Sequence, residues 1–454
     1  MGVKLKKSFH PGASYLVWGG TQERSGRKAI RSDNEGIFNF RRAVLSTNVE
    51  RARPRITEES RNKGVSRHGL CTAVLLLRVM AKGTAVAVCV CHSLLLSLFL
   101  SSLPSPAPAL KPSNIESTQN HSSHLTAIYV FGDSTVDPGN NNYVQTIFRS
   151  DFPPYGRDFT EHTPTGRFTN GRLLTDFAAS LVGLKDAIPA YLDKTLRVEE
   201  LLTGVSFASA GSGYDPLTPK IGGVIDLPTQ LNYFGECKKK LELLLGKEKA
   251  QDHIQRSAVI VSAGTNDFVV NYFGVPLRRK QYTVEQYQLF VLQNFREFIQ
   301  GLWELGHRRI AVAGLPPFGC LPIVITGDSG KERKCKESYN AVAKDYNVKL
   351  QAEIQEMQNK YRNEGGRVVY GDIYGPIADM AYFPDKYGFV DSTDGCCGTG
   401  LFEVSIFCTP RTEVCTDASK FVFFDSIHPT EKAYYVIFQA VRNLINSLTI
   451  SSPH

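Results

Sequence analysis

The sequence lacks several patterns that mark common functional classes. None of its cysteines form a C-x-x-C pair, which argues against a zinc site. It also has no G-x-S-x-G motif, the nucleophile signature of α/β-hydrolases. The main body has no basic field: residues 1–79 carry 16 Lys and Arg against 6 Asp and Glu, which leaves −2 of the total charge of +8 for residues 80–454. We therefore expect no nucleic-acid partner.

One segment of the chain lacks charged residues. Between Lys82 and Lys111 the chain has no Asp, Glu, Lys or Arg, and most of this segment is apolar. Together with the charged start at residues 80–82 and the small-residue triplet Ala107-Pro108-Ala109, this pattern predicts a cleavable signal peptide over residues 80–109. We therefore expect a secreted, extracellular protein.

Two alternatives to this signal peptide stay open. The apolar run is long and follows a strongly positive stretch, so residues 84–103 could be an uncleaved anchor, and only then would a membrane be a partner. Alternatively, residues 1–79 are a targeting peptide or translated sequence upstream of a working start at Met80. Their frequent Arg and lack of an apolar period indicate a basic, disordered extension.

The remainder divides into a linker, one large domain and a short tail. The linker, residues 110–125, contains the sequon Asn120-His121-Ser122, so Asn120 is a predicted glycosylation site. An ordered domain is expected over residues 126–448, with a tail over residues 449–454. No internal repeat is visible in the domain.

Short apolar runs alternate with helical patterns along this domain. The runs are too short for buried helices and predict five strands, at residues 127–131, 205–208, 258–262, 310–313 and 368–370. Helices are predicted between them, at residues 173–181, 230–245, 284–305 and 338–361. Alternation of this kind indicates an α/β fold with a parallel sheet covered on both faces. Ligands of such sheets bind beyond the carboxyl ends of the strands.

Seven cysteines follow the predicted cleavage site. They are Cys237, Cys320, Cys335, Cys396, Cys397, Cys408 and Cys415. In an oxidising compartment, Cys320 with Cys335 and the cluster from 396 to 415 indicate disulfide clasps on surface loops, each worth about 2–4 kcal/mol. Because seven is odd, at least one thiol is free or pairs between chains.

Ser134 is the candidate nucleophile. The first predicted strand runs directly into Gly132-Asp133-Ser134, so the serine lies at a strand's carboxyl end. An isolated Gly-Asp-Ser is more often a turn that caps a helix. The chain contains such a case at Gly327-Asp328-Ser329, in a loop bounded by Cys320 and Cys335, which we interpret as a solvated turn.

The far end of the domain supplies the partners that such a serine needs. Asp425 precedes His428 by three residues, and Pro429 follows. This spacing lets the carboxylate bond one imidazole nitrogen while the other nitrogen faces a hydroxyl and accepts its proton. In the alternative interpretation, Asp425 caps the final helix and His428 is incidental.

Two turns after predicted strands offer donors for the oxyanion of a tetrahedral intermediate. Gly211, in the turn 209–213, can present its backbone N–H without a side chain in the way. Asn266, in the turn 263–267, can offer a carboxamide N–H. Each turn alone is a weak signal.

Together these segments resemble the plant GDSL esterase/lipases, within the SGNH hydrolases. The resemblance covers about residues 126–448 and rests on six motifs, at Phe131–Asn140, Pro164–Gly171, Phe207–Gly213, Gly264–Asp267, Gly395–Gly398 and Asp425–Pro429. It implies a three-layer α/β/α fold like that of flavodoxin, with a five-stranded parallel sheet. The departure is Thr135, where the family name has Leu, at a position that contributes no catalytic group.

The resemblance also implies roles for the site residues. Ser134 would be the nucleophile, Asp425 and His428 its partners, and the N–H groups of Ser134 and Gly211 with Asn266 the oxyanion hole. The implied function is hydrolysis of acyl esters through an acyl-enzyme, with no metal and no cofactor. The alternatives are acyl transfer involving surface polyesters or polysaccharide acetyl groups, and a wall-binding protein without turnover. The resemblance also implies a small-molecule, lipid or polyester acyl ester as substrate, and the apoplast or cell wall as the place of action.

Overall fold

The computed structural model describes residues 125–449. The predicted basic extension, the signal peptide with its alternative anchor at 84–103, and the sequon at Asn120 lie outside the described residues. So do residues 110–124 of the predicted linker and residues 450–454 of the predicted tail. The predicted boundaries of these segments therefore stay predictions.

A parallel sheet forms the centre of the described chain. Its strands are, in their order across the sheet, β1 Ile128–Gly132, β2 Ala258–Ser262, β3 Arg309–Ala313 and β4 Arg367–Gly371. The register aligns Gly132 with Ser262 and Ala313 with Gly371, so the carboxyl ends share one edge. β1 and β2 are buried along their whole length, as expected for a sheet covered on both faces.

The predicted fifth strand, residues 205–208, is reduced to a parallel bridge between Ser206 and Val130 of β1. The next bond of a parallel ladder would run from Gly132 N–H to Phe207 O, but Gly132 N–H donates instead to Gln230 Oε1 at 2.9 Å. The segment still hydrogen-bonds along β1, for example from Val130 N–H to Val205 O at 3.1 Å. The α/β fold class is confirmed, with four regular strands in the described sheet rather than five.

Nine α-helices lie within residues 125–449. They are α1 Leu174–Leu181, α2 Thr218–Gly222, α3 Leu227–Leu245, α4 Lys247–Gln255, α5 Val284–Glu304, α6 Pro322–Asp328, α7 Glu337–Tyr361, α8 Tyr374–Tyr382 and α9 Glu431–Thr449. Helices α1, α8 and α9 pack as one group that contacts β4, and α3, α5 and α7 pack as another that contacts β1 and β4. Two helical layers around a sheet form the expected three-layer arrangement.

Shorter helices occupy several connections. A π-helix spans Asp267–Gly274 directly after Asn266. The 3₁₀ helices are Asn140–Tyr143, Thr160–His162, Val198–Leu202, Arg278–Lys280, Phe318–Cys320, Gly330–Glu332, Arg362–Glu364, Pro384–Tyr387, Ser405–Phe407 and Ala418–Lys420.

The four predicted helices correspond to α1, α3, α5 and α7, with ends that differ by at most three residues. The start of helix α5 could be predicted from the sequence because its capping residues are recognisable. The Thr283 hydroxyl accepts the Gln286 N–H at 3.2 Å while Gln286 Oε1 accepts the Thr283 N–H at 2.9 Å, so both side chains satisfy free donors at the helix start. Its buried face then follows the helical period through Val291, Phe295 and Leu302.

A two-stranded parallel sheet, which the sequence analysis did not predict, supports the far end of the domain. It pairs β5 Asp391–Gly395 with β6 Phe421–Phe423. At the end of β5, Gly395 packs so closely against the chain after β6 that an added Cβ would lie 2.7 Å from Asp425 O. This contact explains a glycine at that position and fixes the backbone of Asp425.

The cysteines that were expected to form disulfides on surface loops do so. The pairs are Cys320–Cys335, Cys396–Cys415 and Cys397–Cys408. In the described part of the chain, the one cysteine outside a disulfide is Cys237, which is buried on α3. Within the same residues, no helix combines the length and the apolar character needed to cross a membrane.

Candidate active site

Ser134 lies two residues beyond the end of β1. The chain leaves the strand at Gly132, whose φ is +139° and where an added Cβ would stand 1.9 Å from Ser262 O of β2. Only glycine fits this close approach. In the next position the Asp133 carboxylate accepts the backbone N–H of Thr135 at 3.0 Å and its hydroxyl at 2.7 Å. The turn that carries Ser134 is therefore held from both sides.

A glutamine of α3, absent from the sequence predictions, clamps the strand end before this turn. Gly132 N–H donates to Gln230 Oε1, and Gln230 Nε2 donates to Gly132 O, each at 2.9 Å. The same Nε2 lies 3.4 Å from the Ser212 hydroxyl. Gln230 is fully buried. It links the residues before Ser134 to the loop that contains Gly211.

Asp425 and His428 lie in a tight turn after β6. The N–H of Phe424 donates to His428 O at 2.8 Å and closes the turn. Asp425 Oδ1 accepts the N–H groups of Ile427 and His428 at 2.8 and 2.7 Å, so backbone donors orient the carboxylate. Imidazole Nδ1 lies 2.9 and 2.8 Å from the two carboxylate oxygens.

The hydroxyl of Ser134 completes a continuous hydrogen-bonded chain. Its Oγ lies 2.7 Å from Nε2 of His428, although the two residues are 294 positions apart. Asp425 is fully buried, while His428 and Ser134 are 3% and 8% exposed. If Nδ1 donates to Asp425, Nε2 is left to accept the serine proton. The arrangement is therefore geometrically able to activate a hydroxyl nucleophile.

Tyr155 is a fourth side chain in this chain of bonds, and the sequence analysis did not single it out. Its hydroxyl donates to Asp425 Oδ2 at 2.8 Å and accepts the N–H of Ser405 at 2.8 Å. Tyr155 follows two prolines in a loop, 270 positions before Asp425. No local pattern in the sequence connects the two residues.

The predicted oxyanion donors lie on neighbouring loops. Asn266 Nδ2 donates to Ser212 O at 2.9 Å, which joins its turn to the Gly211 loop and leaves the second amide hydrogen unused there. Gly211 has a φ of +87°, and an added Cβ would lie 2.7 Å from the Phe148 ring. Among the described residues, the backbone N–H groups of Ser134 and Gly211 donate to no protein acceptor. Both remain available to a bound anion.

Buried carboxylates around these turns have altered acidities. Burial raises the pKa of Asp133 to about 6, although hydrogen bonds from Thr135 and the charge of His428 oppose the shift. Burial likewise raises the pKa of Asp137 to about 6 against several backbone donors. One of these donors is Ala210 N–H at 3.0 Å, just before Gly211. Asp137 therefore braces the loop that carries a predicted oxyanion donor.

The second Gly-Asp-Ser has a different environment. The Ser329 hydroxyl lies 3.2 Å from Ile325 O and 3.1 Å from Lys334 O, and it accepts Lys334 N–H at 3.0 Å. Gly327 and Asp328 end helix α6, so only Ser329 lies in the turn that was predicted for the whole triplet, and these bonds close that turn. Residues 125–449 also contain no group of three or more His, Cys, Asp or Glu side chains arranged to hold a metal ion.

Comparison with known proteins assigns the chain to a family. A family model described as GDSL-like Lipase/Acylhydrolase matches residues 128–441, more than half of the chain. The chain belongs to the plant GDSL esterase/lipase family. As a member of that family, the enzyme is a carboxylic ester hydrolase, and the predicted resemblance is confirmed.

Arabidopsis thaliana proteins show the similarity in detail. The enzyme is 53% identical to GDSL esterase/lipase At5g45960 over 342 residues, which are 75% of this chain and 91% of the relative. It is 45% identical to GDSL esterase/lipase At1g06990 over 325 residues, 71% of this chain and 90% of the relative. The GDSL esterase/lipase APG is 44% identical over 319 residues, 70% of this chain and 90% of the relative.

Solved structures resemble the enzyme more distantly. The lipase Lip_vut3 from a goat rumen metagenome has a TM-score of 0.30 at 10% identity, covering 70% of this chain and 97% of that one. BT4096, a gut microbial diltiazem-metabolizing enzyme, has a TM-score of 0.32 at 13% identity, covering 71% of this chain and 47% of that one.

Proposed function

We propose that this GDSL hydrolase is a secreted serine esterase that cleaves acyl esters with Ser134 as nucleophile, His428 as general base and acid, and Asp425 as the group that orients His428. The observation that carries the proposal is the 2.7 Å contact between Ser134 Oγ and His428 Nε2, backed by the bonds from His428 to Asp425. A hydroxyl, an imidazole and a carboxylate in this order are the components of serine hydrolysis.

The reaction follows from these contacts. Ser134 Oγ attacks the ester carbonyl while His428 Nε2 takes the hydroxyl proton, and Asp425 stabilises the imidazolium. The tetrahedral intermediate collapses when His428 returns the proton to the leaving alcohol, which leaves an acyl-serine. Water, deprotonated by His428, then attacks the acyl-serine, and His428 returns this proton to Ser134 Oγ as the acid leaves. No step needs a metal or an organic cofactor.

The negative charge of the tetrahedral intermediate needs donors that are already in place. The N–H groups of Ser134 and Gly211 suit this role because neither donates to a protein acceptor in the described chain. Asn266 suits it because its amide is held by Ser212 O and retains a free hydrogen. Loss of one such donor typically costs roughly 2.7–4 kcal/mol of transition-state stabilisation.

Secretion is supported by the signal-peptide pattern at residues 80–109 and by the three disulfides of the domain, which persist in oxidising compartments. Sequencing the amino terminus of secreted material should give a start near Leu110. A membrane-bound form that retains residues 1–79 would instead support the uncleaved anchor.

The proposed activity is tested by hydrolysis of p-nitrophenyl esters from acetate to palmitate. The secreted enzyme should release p-nitrophenol with a preferred chain length, and Ser134→Ala should abolish release across the whole series. Ser329→Ala is the matched control and should retain full activity. Undiminished hydrolysis by folded Ser134→Ala would overturn the proposal.

A further inference from the structure

The carboxylate of Asp425 receives one hydrogen bond from outside its own turn. The donors within the turn are the backbone N–H groups of Ile427 and His428 and the imidazole of His428. The outside donor is the Tyr155 hydroxyl, at 2.8 Å from Oδ2. Tyr155 is 1% exposed, so water does not compete for this bond.

The Tyr155 hydroxyl is itself fixed in direction. It accepts the N–H of Ser405 at 2.8 Å, so its own hydrogen is directed to Asp425. Ser405 has a φ of +53°, an unusual conformation for a residue with a side chain, and lies in the loop closed by the Cys397–Cys408 disulfide. The Ser405 hydroxyl accepts the N–H of Arg149 at 2.9 Å, which anchors the loop to the segment before Tyr155.

We propose that Tyr155 is a positioning residue of the hydrolytic site: its hydroxyl, aimed by the disulfide-closed loop, holds the Asp425 carboxylate in the orientation that His428 requires. The inference rests on the proposed function of Ser134. Tyr155 touches neither Ser134 nor His428 through a hydrogen bond in the described chain, so it acts through Asp425.

A second effect of the hydroxyl is electrostatic. A donor on Oδ2 takes up part of the carboxylate's charge, and without it that charge acts more strongly on the imidazolium of His428. Two other titratable groups near this pair also act on it, namely Asp133, which interacts with His428, and Tyr434, which interacts with Asp133 and Asp425. Both stay unchanged when Tyr155 alone is altered, so their contribution cancels in a comparison of variants.

Tyr155→Phe and Tyr129→Phe form a matched pair for the test. Tyr129 is also fully buried, and its hydroxyl donates to Leu201 O at 2.9 Å, away from the site. Tyr155→Phe loses two buried hydrogen bonds, one to Asp425 and one from Ser405, whereas Tyr129→Phe loses one. The melting temperature should therefore fall in both variants, and further in Tyr155→Phe. Rates are normalised to the serines titrated by a fluorophosphonate, which removes any effect of partial unfolding.

With a p-nitrophenyl ester, Tyr155→Phe should lower kcat on the order of tenfold with little change in KM, as expected for loss of one charge-assisted bond. The acid limb of its kcat/KM profile should move to higher pH. Tyr129→Phe should change neither. Equal behaviour of the two variants would overturn the inference, whereas an active Ser134→Ala would overturn the proposed function instead.

A second variant keeps the Tyr155 hydroxyl and with it the bonds to Asp425 and Ser405. Site-specific 3-fluorotyrosine at position 155 makes the phenol a stronger donor to Asp425 Oδ2. The acid limb should then move to lower pH, opposite to the effect of Tyr155→Phe. If the acid limb of the kcat/KM profile does not move in this variant, the inference is also overturned.

Discussion

The residues of the site are buried polar groups whose orientation comes from backbone donors. Asp425 illustrates this, because two N–H groups of its own turn fix Oδ1 before the imidazole is considered. Thr135 contributes through its side chain instead. Where the family name has Leu, its hydroxyl lies 2.7 Å from Asp133 Oδ1 and 2.8 Å from Ser262 Oγ. This departure adds a polar link between the turn after β1 and the end of β2, without adding a catalytic group.

The pair Asp425 and His428 is expected to act as one proton-transfer unit. Asp425→Asn should keep the fold but lower kcat by orders of magnitude, because an amide can stabilise the wrong imidazole tautomer. His428→Ala should be about as damaging, and the double variant scarcely worse than the more damaging single variant. Kinetics with circular dichroism on all three variants checks this. Near-normal kcat in folded His428→Ala would mean that the base lies elsewhere.

Secondary-structure elements meet at the strand end that precedes Ser134. Helix α3 contributes Gln230, whose amide bonds both backbone groups of Gly132. Replacing it with leucine leaves the buried Gly132 N–H without a partner, which should cost about 1–3 kcal/mol of stability. Because Gly132 leads into the nucleophile turn, we also expect Gln230→Leu to lower kcat.

Gln288 of α5 provides the control for this prediction. It is buried like Gln230, and its amide donates to Val342 O at 3.1 Å, on α7 rather than near the site. Gln288→Leu should therefore lose stability without a loss of kcat per titrated serine. Urea denaturation and ester hydrolysis measure the two effects separately, and equal kcat values for both variants would contradict the role of the Gln230 clamp.

Elements with a strong local pattern were predictable from the sequence. Helix α5 was predicted closely because it has a readable cap and an amphipathic period. Strand β5 was missed because its sequence, Asp-Ser-Thr-Asp-Gly, has little of the apolar or β-branched character of a strand. The strand expected at residues 205–208 is shorter because the side chain of Gln230, distant in sequence from β1, accepts the Gly132 N–H that the next ladder bond would use.

The site shows the same division between local and long-range information. Short motifs made Ser134, Asp425 and His428 candidates, because each motif lies within a few residues. Tyr155 and Gln230 were missed because their partners lie 270 and 98 positions away. Their bonds are a consequence of the whole fold, which no local pattern describes.

At the scale of the molecule, His307 links stability to pH. It is fully buried, its ring centroid lies 4.2 Å from that of Phe234, and its Nε2 has no partner among the described residues. Burial lowers the pKa of His307 to about 3. In the unfolded chain this imidazole is protonated below about pH 6.5, whereas in the folded chain it stays neutral down to about pH 3. The contribution of His307 to the free energy of unfolding is therefore fully present above about pH 6.5 and is lost as the pH falls toward 3.

His307→Phe should remove this dependence while keeping the aromatic packing. Between pH 7.5 and 4.5, His307 alone should cost the folded enzyme on the order of 2 kcal/mol. The raised pKa values of Asp133 and Asp137 act in the opposite direction, because the cost of burying their charges is relieved as pH falls through 6. Urea unfolding of both proteins at the two pH values isolates the His307 contribution as a difference. An identical pH dependence in both would contradict it.

The central claim is that Ser134, and not the second Gly-Asp-Ser serine, is the nucleophile. The most direct measurement is labelling of the purified enzyme with a fluorophosphonate probe, followed by peptide mapping. We predict one labelled site, Ser134, with the label lost in Ser134→Ala and His428→Ala and kept in Ser329→Ala. A label on Ser329, or a label that persists in Ser134→Ala, would contradict the account.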